Sequence, residues 1–175
     1  RILELVESHN SQLDRRSTHI AKTPRQIETV YRRGPNSCMA HEPDDYATQG
    51  HHPAAVYGAG DIGVFFMWDK PDGNKRRITG RALVNLHSKI YGRIYGDESR
   101  MAVALEGKGF TYDTDSNGFD DCRIIKIPLN DSDFVCPYFD HDYQLGLSND
   151  DQLFMHSDPS CSTKHVVVKS FNADR

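Results

Sequence analysis

Ile62-Gly-Val-Phe-Phe-Met-Trp68, Ile78-Thr-Gly-Arg-Ala-Leu-Val-Asn-Leu86 and Lys89-Ile-Tyr-Gly-Arg-Ile-Tyr-Gly96 are the three runs on which the fold turns. The first is a compact apolar stretch of strand-forming residues, and the other two follow it at hairpin spacing. Lys70-Pro71-Asp72-Gly73-Asn74 separates the first two, with proline at an early turn position and glycine where a positive φ is needed. Residues 62–96 are therefore predicted to form a meander of three antiparallel strands. Strict alternation in the third strand would put Ile90, Gly92 and Ile94 on one face and Tyr91, Arg93 and Tyr95 on the other.

On the N-terminal side, Ile2, Leu3, Leu5, Val6 and Leu13 recur at roughly helical spacing, which predicts a short amphipathic helix over residues 2–14. Thr23-Pro24 is a helix start, because a hydroxyl cap precedes a proline whose missing N–H costs nothing in the first turn. That helix would turn Ile27, Val30 and Tyr31 inward and stop at Gly34-Pro35. Beyond the meander, Met101, Ala102 and Leu105 predict a helix over residues 99–108, closed by Gly109. Residues 123–128, 134–138 and 165–171 are further strand candidates. The expected fold is α+β: a mostly antiparallel sheet with a three-strand central meander, two N-terminal helices and one helix after the meander. No repeat, low-complexity tract or linker divides residues 1–175, so one domain is expected.

Composition agrees. The 175 residues suit one domain, and 37% hydrophobic with 26% charged residues lies well away from the disordered class. No apolar run approaches the roughly 18 residues that span a bilayer, and residues 1–30 lack the apolar core of a secretory signal. Cys38, Cys122, Cys136 and Cys161 are too few and too scattered for a disulfide scaffold, which favours reduced thiols in a cytosol. The net charge of −4 hides a division along the chain. Residues 69–100 hold eight Lys/Arg against four Asp/Glu, giving +4, whereas residues 111–160 hold two against eleven, all Asp, giving −9. Local potentials of this kind decide what a surface attracts.

Five patterns bear on chemistry. Asp113, Asp115, Asn117 and Gly118, with Asp121 behind them, match the first half of a calcium loop, in which oxygens at alternate positions converge and a glycine makes the turn. The closing glutamate of such a loop is replaced by Ile124. Cys136, His141, Cys161 and His165 supply two Cys–His pairs, the donor set of a closed tetrahedral zinc site. Cys38, His41, His51 and His52 form a second zinc candidate. Lys70-Pro-Asp72-Gly73 fits the K-x-D-G of nucleotidyl transferases, but its turn composition explains it fully. Finally, Lys70, Lys75, Arg76, Arg77, Arg81, Lys89, Arg93 and Arg100 are interleaved with Trp68, Tyr91 and Tyr95. Cations and rings along a sheet suit phosphate contact with base stacking, and Arg77, Arg81, Lys89, Tyr91, Arg93 and Tyr95 are the predicted contacts to nucleic acid or another partner. No local signature selects a catalytic residue.

Two resemblances follow from these residues. Arg77-Ile-Thr-Gly80-Arg-Ala82 resembles the R-x-x-G-x-A pyrophosphate loop of the Gcn5-related acetyltransferases, and the element order of residues 60–110 is similar to theirs. That resemblance implies acetyl-coenzyme A, cradled by N–H groups at a helix N-terminus. In that fold the loop belongs at a strand-to-helix junction, which here reads Arg93-Ile-Tyr-Gly96-Asp97-Glu98 and brings two carboxylates toward a pyrophosphate. The second resemblance covers roughly residues 30–140. It is carried by Gly34-Pro-Asn-Ser-Cys38-Met39, His52-Pro53, Val56-Tyr57, Gly60-Asp-Ile-Gly-Val-Phe, Gly80-Arg-Ala-Leu-Val and Tyr91-Gly-Arg-Ile-Tyr-Gly-Asp97. These strings resemble a group of uncharacterised tailed-bacteriophage accessory proteins. That resemblance implies a viral protein in the cytoplasm of an infected bacterial host. The expected partner is a phage or host protein or nucleic acid, with no membrane. The expected function is binding of a macromolecule, either nucleic acid or a host protein that handles it. A small acetyltransferase-like enzyme and a metal-stabilised structural or virion component are the alternatives.

Overall fold

Local signals place the main elements. The structure, a computed structural model, describes residues 17–37, 39, 52–69, 76–128, 134–135, 143–148 and 150–158. In chain order these form β1 (Thr18–Ala21), α1 (Pro24–Arg33), a 3-10 helix (Pro53–Ala59), β2 (Ile62–Asp69), β3 (Arg77–Asn85), β4 (Ile90–Gly96), α2 (Glu98–Glu106), β5 (Thr111–Tyr112), β6 (Arg123–Ile124), β7 (Gln144–Leu147) and β8 (Leu153–His156). The expected helix over residues 2–14 and the expected strand over 165–171 lie outside the described residues.

α1 starts where its cap dictates. The Thr23 hydroxyl accepts the Gln26 N–H while the Gln26 side chain accepts the Thr23 N–H, so two of the orphan donors at the helix start are satisfied reciprocally. Ile27, Val30 and Tyr31 are its buried residues. α2 has a one-way cap: the Asp97 carboxylate accepts the Arg100 N–H at 3.3 Å.

The fold is α+β with a mixed sheet of five strands in the order β1-β2-β3-β4-β5. β2, β3 and β4 are antiparallel neighbours, β1 adds antiparallel to β2, and β5 pairs parallel with β4. A second sheet, β6-β8-β7, is antiparallel. Of the expected strand over 123–128 only β6 and a Pro128–Phe134 bridge form. β1, β7 and β8 carry too few residues for a period-2 pattern to stand out, and β5 has only two.

Two bulges correct the expected alternation. Met67 pairs with Gly80 but Trp68 with Ile78, so Thr79 is an extra residue on β3. Ala82 pairs with Ile94 but Val84 with Tyr91, so Gly92 and Arg93 together oppose Leu83. Each inserted residue inverts the parity of the strand beyond it. Tyr91 consequently joins Phe65, Met67, Ala82, Val84 and Met101 in the core beneath α2, with Ile94 packed against the same cluster. Tyr95 pairs with Arg81, whose guanidinium lies over the Tyr31 ring of α1 on the opposite side. Tyr91, Arg93 and Tyr95 thus do not share a face.

Two glycines make this packing attainable. A Cβ at Gly80 would overlap the Met101 side chain, so α2 can lie close on the sheet only there. Gly96 has φ +98°, a left-handed conformation that turns β4 into α2, and a Cβ would collide with the Thr79 carbonyl. On the other face one apolar cluster runs from α1 and the 3-10 helix through β2 to Ile124, Leu153 and Met155 of the second sheet.

Candidate nucleic-acid interface

The six residues expected to touch a partner separate into two groups. Arg77, Lys89 and Arg93 are exposed and Tyr95 is half-buried. Lys89, held at φ 60°, extends its ammonium over Phe110 at 4.9 Å from the ring centre. The Arg93 guanidinium lies 5.4 Å from the Tyr95 ring. Arg81 and Tyr91, expected at the surface, are instead only 1% and 4% exposed, and neither is presented to a partner. Arg81 donates to the Pro35 carbonyl and to the Ser37 hydroxyl, both at 2.6 Å. Tyr31 and Tyr95 cover its guanidinium at 4.3 and 4.7 Å. It holds the segment after α1 onto the sheet.

A partly exposed group replaces them at the far end of β2. Trp68 stacks on His19 of β1 with centroids 6.2 Å apart and planes 9° from parallel. Arg76 places its guanidinium 4.3 Å from the indole centre, and Phe66, 5.7 Å from His19, anchors the row at the core. Trp68 stood out in the sequence as one of three rings interleaved with the cations. His19 did not, because its contact depends on a short strand pairing across about 45 residues, for which no local signal exists.

Charge is distributed unevenly among these groups. Arg32 pairs with Glu28 at 2.5 Å, Lys126 with Asp151 at 2.6 Å, and Arg100 lies 3.6 Å from Asp97 and 3.8 Å from Asp69. Arg123 forks onto Asp61 with Nε and Nη2 both at 2.8 Å and adds its backbone N–H. Those bonds, with His87 at 3.2 Å, hold the Asp61 carboxyl well below the usual carboxylate range against the opposing effect of burial. Among the described residues, Arg76, Arg77, Lys89 and Arg93 have no carboxylate partner.

The acidic loop is built differently from a cation site. Asp113 is buried, and its two oxygens are taken by the Gly118 N–H at 3.1 Å and the Tyr143 hydroxyl at 2.7 Å. Burial and that bond to Asp113 push the Tyr143 phenol well above its usual range. Asp115 receives only the Thr114 hydroxyl, Asn117 is exposed, and Asp121 sits at φ 61° in the turn leading to β6. Asp120 holds Ser157 through its N–H and hydroxyl at 2.7 and 2.8 Å. Among the described residues no three His, Cys, Asp or Glu side chains converge as a metal site would require.

Cys136, His141, Cys161 and His165 lie outside the described residues, as do Cys38, His41 and His51. His52 is buried, accepts the Ala54 N–H on Nδ1 at 3.1 Å and so caps the 3-10 helix. Burial, reinforced by Arg32, lowers its pKa to about 4. Residues 77–82 form strand, so R-x-x-G-x-A is not a loop at a helix start. The strand-to-helix junction is Gly96-Asp97-Glu98, and there the Asp97 cap and Glu98 occupy the first turn of α2. No protein-family model, no curated protein and no solved structure matches this chain.

Proposed function

We propose that this chain is an accessory protein of the tailed-phage type that acts by binding a macromolecule in the infected host, with nucleic acid as the ligand of its basic meander. The observation that carries this reading is the set of unpaired, exposed cations Arg76, Arg77, Lys89 and Arg93, of which Arg76 and Arg93 lie beside the half-buried rings of Trp68 and Tyr95. A cation without a carboxylate neighbour keeps its full attraction for phosphate, and several on one sheet add. Asp113, Asp120 and Asp151 of the acidic segment are engaged with Tyr143, Ser157 and Lys126, which leaves them unsuited to neutralise that surface. Filter binding with single- and double-stranded DNA and RNA tests it. Affinity should fall steeply with salt, and Arg77→Ala or Arg93→Ala should each flatten the log–log slope by about one unit. Failure of all four ligands at about 50 mM salt would refute the nucleic-acid reading and leave a protein partner.

The element order favours a second reading, an acetyltransferase-like enzyme using acetyl-coenzyme A, because a meander leads through Gly96 into α2 and on to Gly109-Phe110. Against it stand the Asp97 and Glu98 carboxylates at the helix start, where a pyrophosphate would be repelled. A rise in melting temperature with acetyl-coenzyme A, abolished at high salt but enhanced by Glu98→Gln, would favour this second reading.

A further inference from the structure

We infer that His19, Trp68 and Arg76 form a stacking platform that makes the meander select single-stranded over duplex nucleic acid. This rests on the nucleic-acid reading above and specifies its ligand. Three planar groups from three separate strands or their flanks form one stack: an imidazole lies on the indole with planes 9° from parallel, and a guanidinium lies over the indole ring, 4.3 Å from its centre. β1 is the outermost strand of its sheet, and both His19 and Arg76 are exposed, so the row ends in solvent at both of its outer members. Phe66 is packed against the core and ties the row to the fold.

Every base has a π-face, so stacking on such a row tolerates any sequence but requires unstacked bases. A duplex hides those faces and offers only its phosphates. Arg76 itself brings a cation to the rings, so phosphate attraction and stacking act at the same place. An acidic peptide would satisfy the cations equally but gains nothing from the rings. The coincidence of parallel rings with unpaired cations therefore favours a single strand.

Trp68 is the only tryptophan of the chain, so its emission reports on the platform directly. The full chain is titrated at low salt with oligo-dT, with a duplex of the same length and with polyglutamate. Oligo-dT should quench Trp68 saturably and bind more tightly than the duplex. Trp68→Ala and His19→Ala should each weaken oligo-dT in filter binding by roughly 5- to 150-fold, the range for one stacked base, while weakening duplex binding far less. Trp68→Phe should keep most of the affinity, and melting curves identify any variant that fails to fold. His19, exposed at the sheet edge, provides the variant least apt to disturb folding. Equal binding of single strand and duplex without quenching would overturn the platform yet leave the nucleic-acid reading standing. Quenching by polyglutamate as strong as by oligo-dT would likewise overturn it, as charge alone would then suffice. Absence of binding to any nucleic acid would remove both.

Discussion

Replacing Arg81 by methionine separates a structural cation from a binding one. The native guanidinium is 1% exposed, donates two bonds of 2.6 Å to Pro35 and Ser37, and lies between the Tyr31 and Tyr95 rings. Bonds from a charged donor contribute about 1.5–3 kcal/mol each, and a desolvated cation–ring contact about 1–2 kcal/mol. Burying a cation costs several kcal/mol in return, and methionine keeps much of the apolar stem and volume. The balance is a loss of about 1–3 kcal/mol for Arg81→Met. Arg81→Ala adds a cavity and should cost about 3–5 kcal/mol. For a domain of this size 1 kcal/mol is about 2–4 °C in melting temperature. Urea denaturation measures the loss. The salt slope of nucleic-acid binding by the folded Arg81→Met protein should equal that of the native protein, because a buried cation releases no counterion. A variant as stable as the native protein, with a slope one unit shallower, would refute the burial of Arg81 and return it to the interface.

Other consequences follow from the buried polar groups. Tyr143→Phe removes a donor from buried Asp113 and an acceptor from the Phe119 N–H, so unfolding should cost about 1–3 kcal/mol less, and a cycle with Asp113→Asn should show strong coupling. Added calcium should leave the melting temperature unchanged, since both Asp113 oxygens are already used. His52 titrates at about 4 when folded against 6.5 in the unfolded chain. The unfolded state therefore binds more protons between these values, and stability should fall from pH 6.5 to pH 4 by up to roughly 3 kcal/mol, then level off as far as this group is concerned. His52→Asn, which keeps an acceptor for Ala54, should flatten that slope in pH-dependent denaturation. Asp61 acts lower: its depressed pKa adds stability above the ordinary carboxylate range that is lost as pH falls through the folded value. The Cys122 thiol, pushed up to about 12 by burial, should react with a thiol reagent far more slowly in the native protein than in urea.

The sequence by itself determined the elements whose information is local. Thr23-Pro24 and Gly34-Pro35 bracket α1, the turn residues and alternation of 62–96 specify three antiparallel strands, and the spacing of Met101, Ala102 and Leu105 marks α2. It also marked the basic stretch and its interleaved rings as the candidate contact surface. Tertiary structure alone decided which of those side chains reach solvent. One extra residue at Gly92-Arg93 reverses strand parity, and no pattern of period two announces where that residue will be accommodated. Arg81 is buried because Pro35 and Ser37, more than forty positions away, supply acceptors that make burial of a charge tolerable. Asp113 is turned inward because Tyr143, 30 residues on, donates to it. His19 meets Trp68 only through a strand pairing across some 45 residues. Local periodicity selects the element and its turns, whereas exposure and chemistry depend on partners that only the folded chain brings within hydrogen-bonding distance.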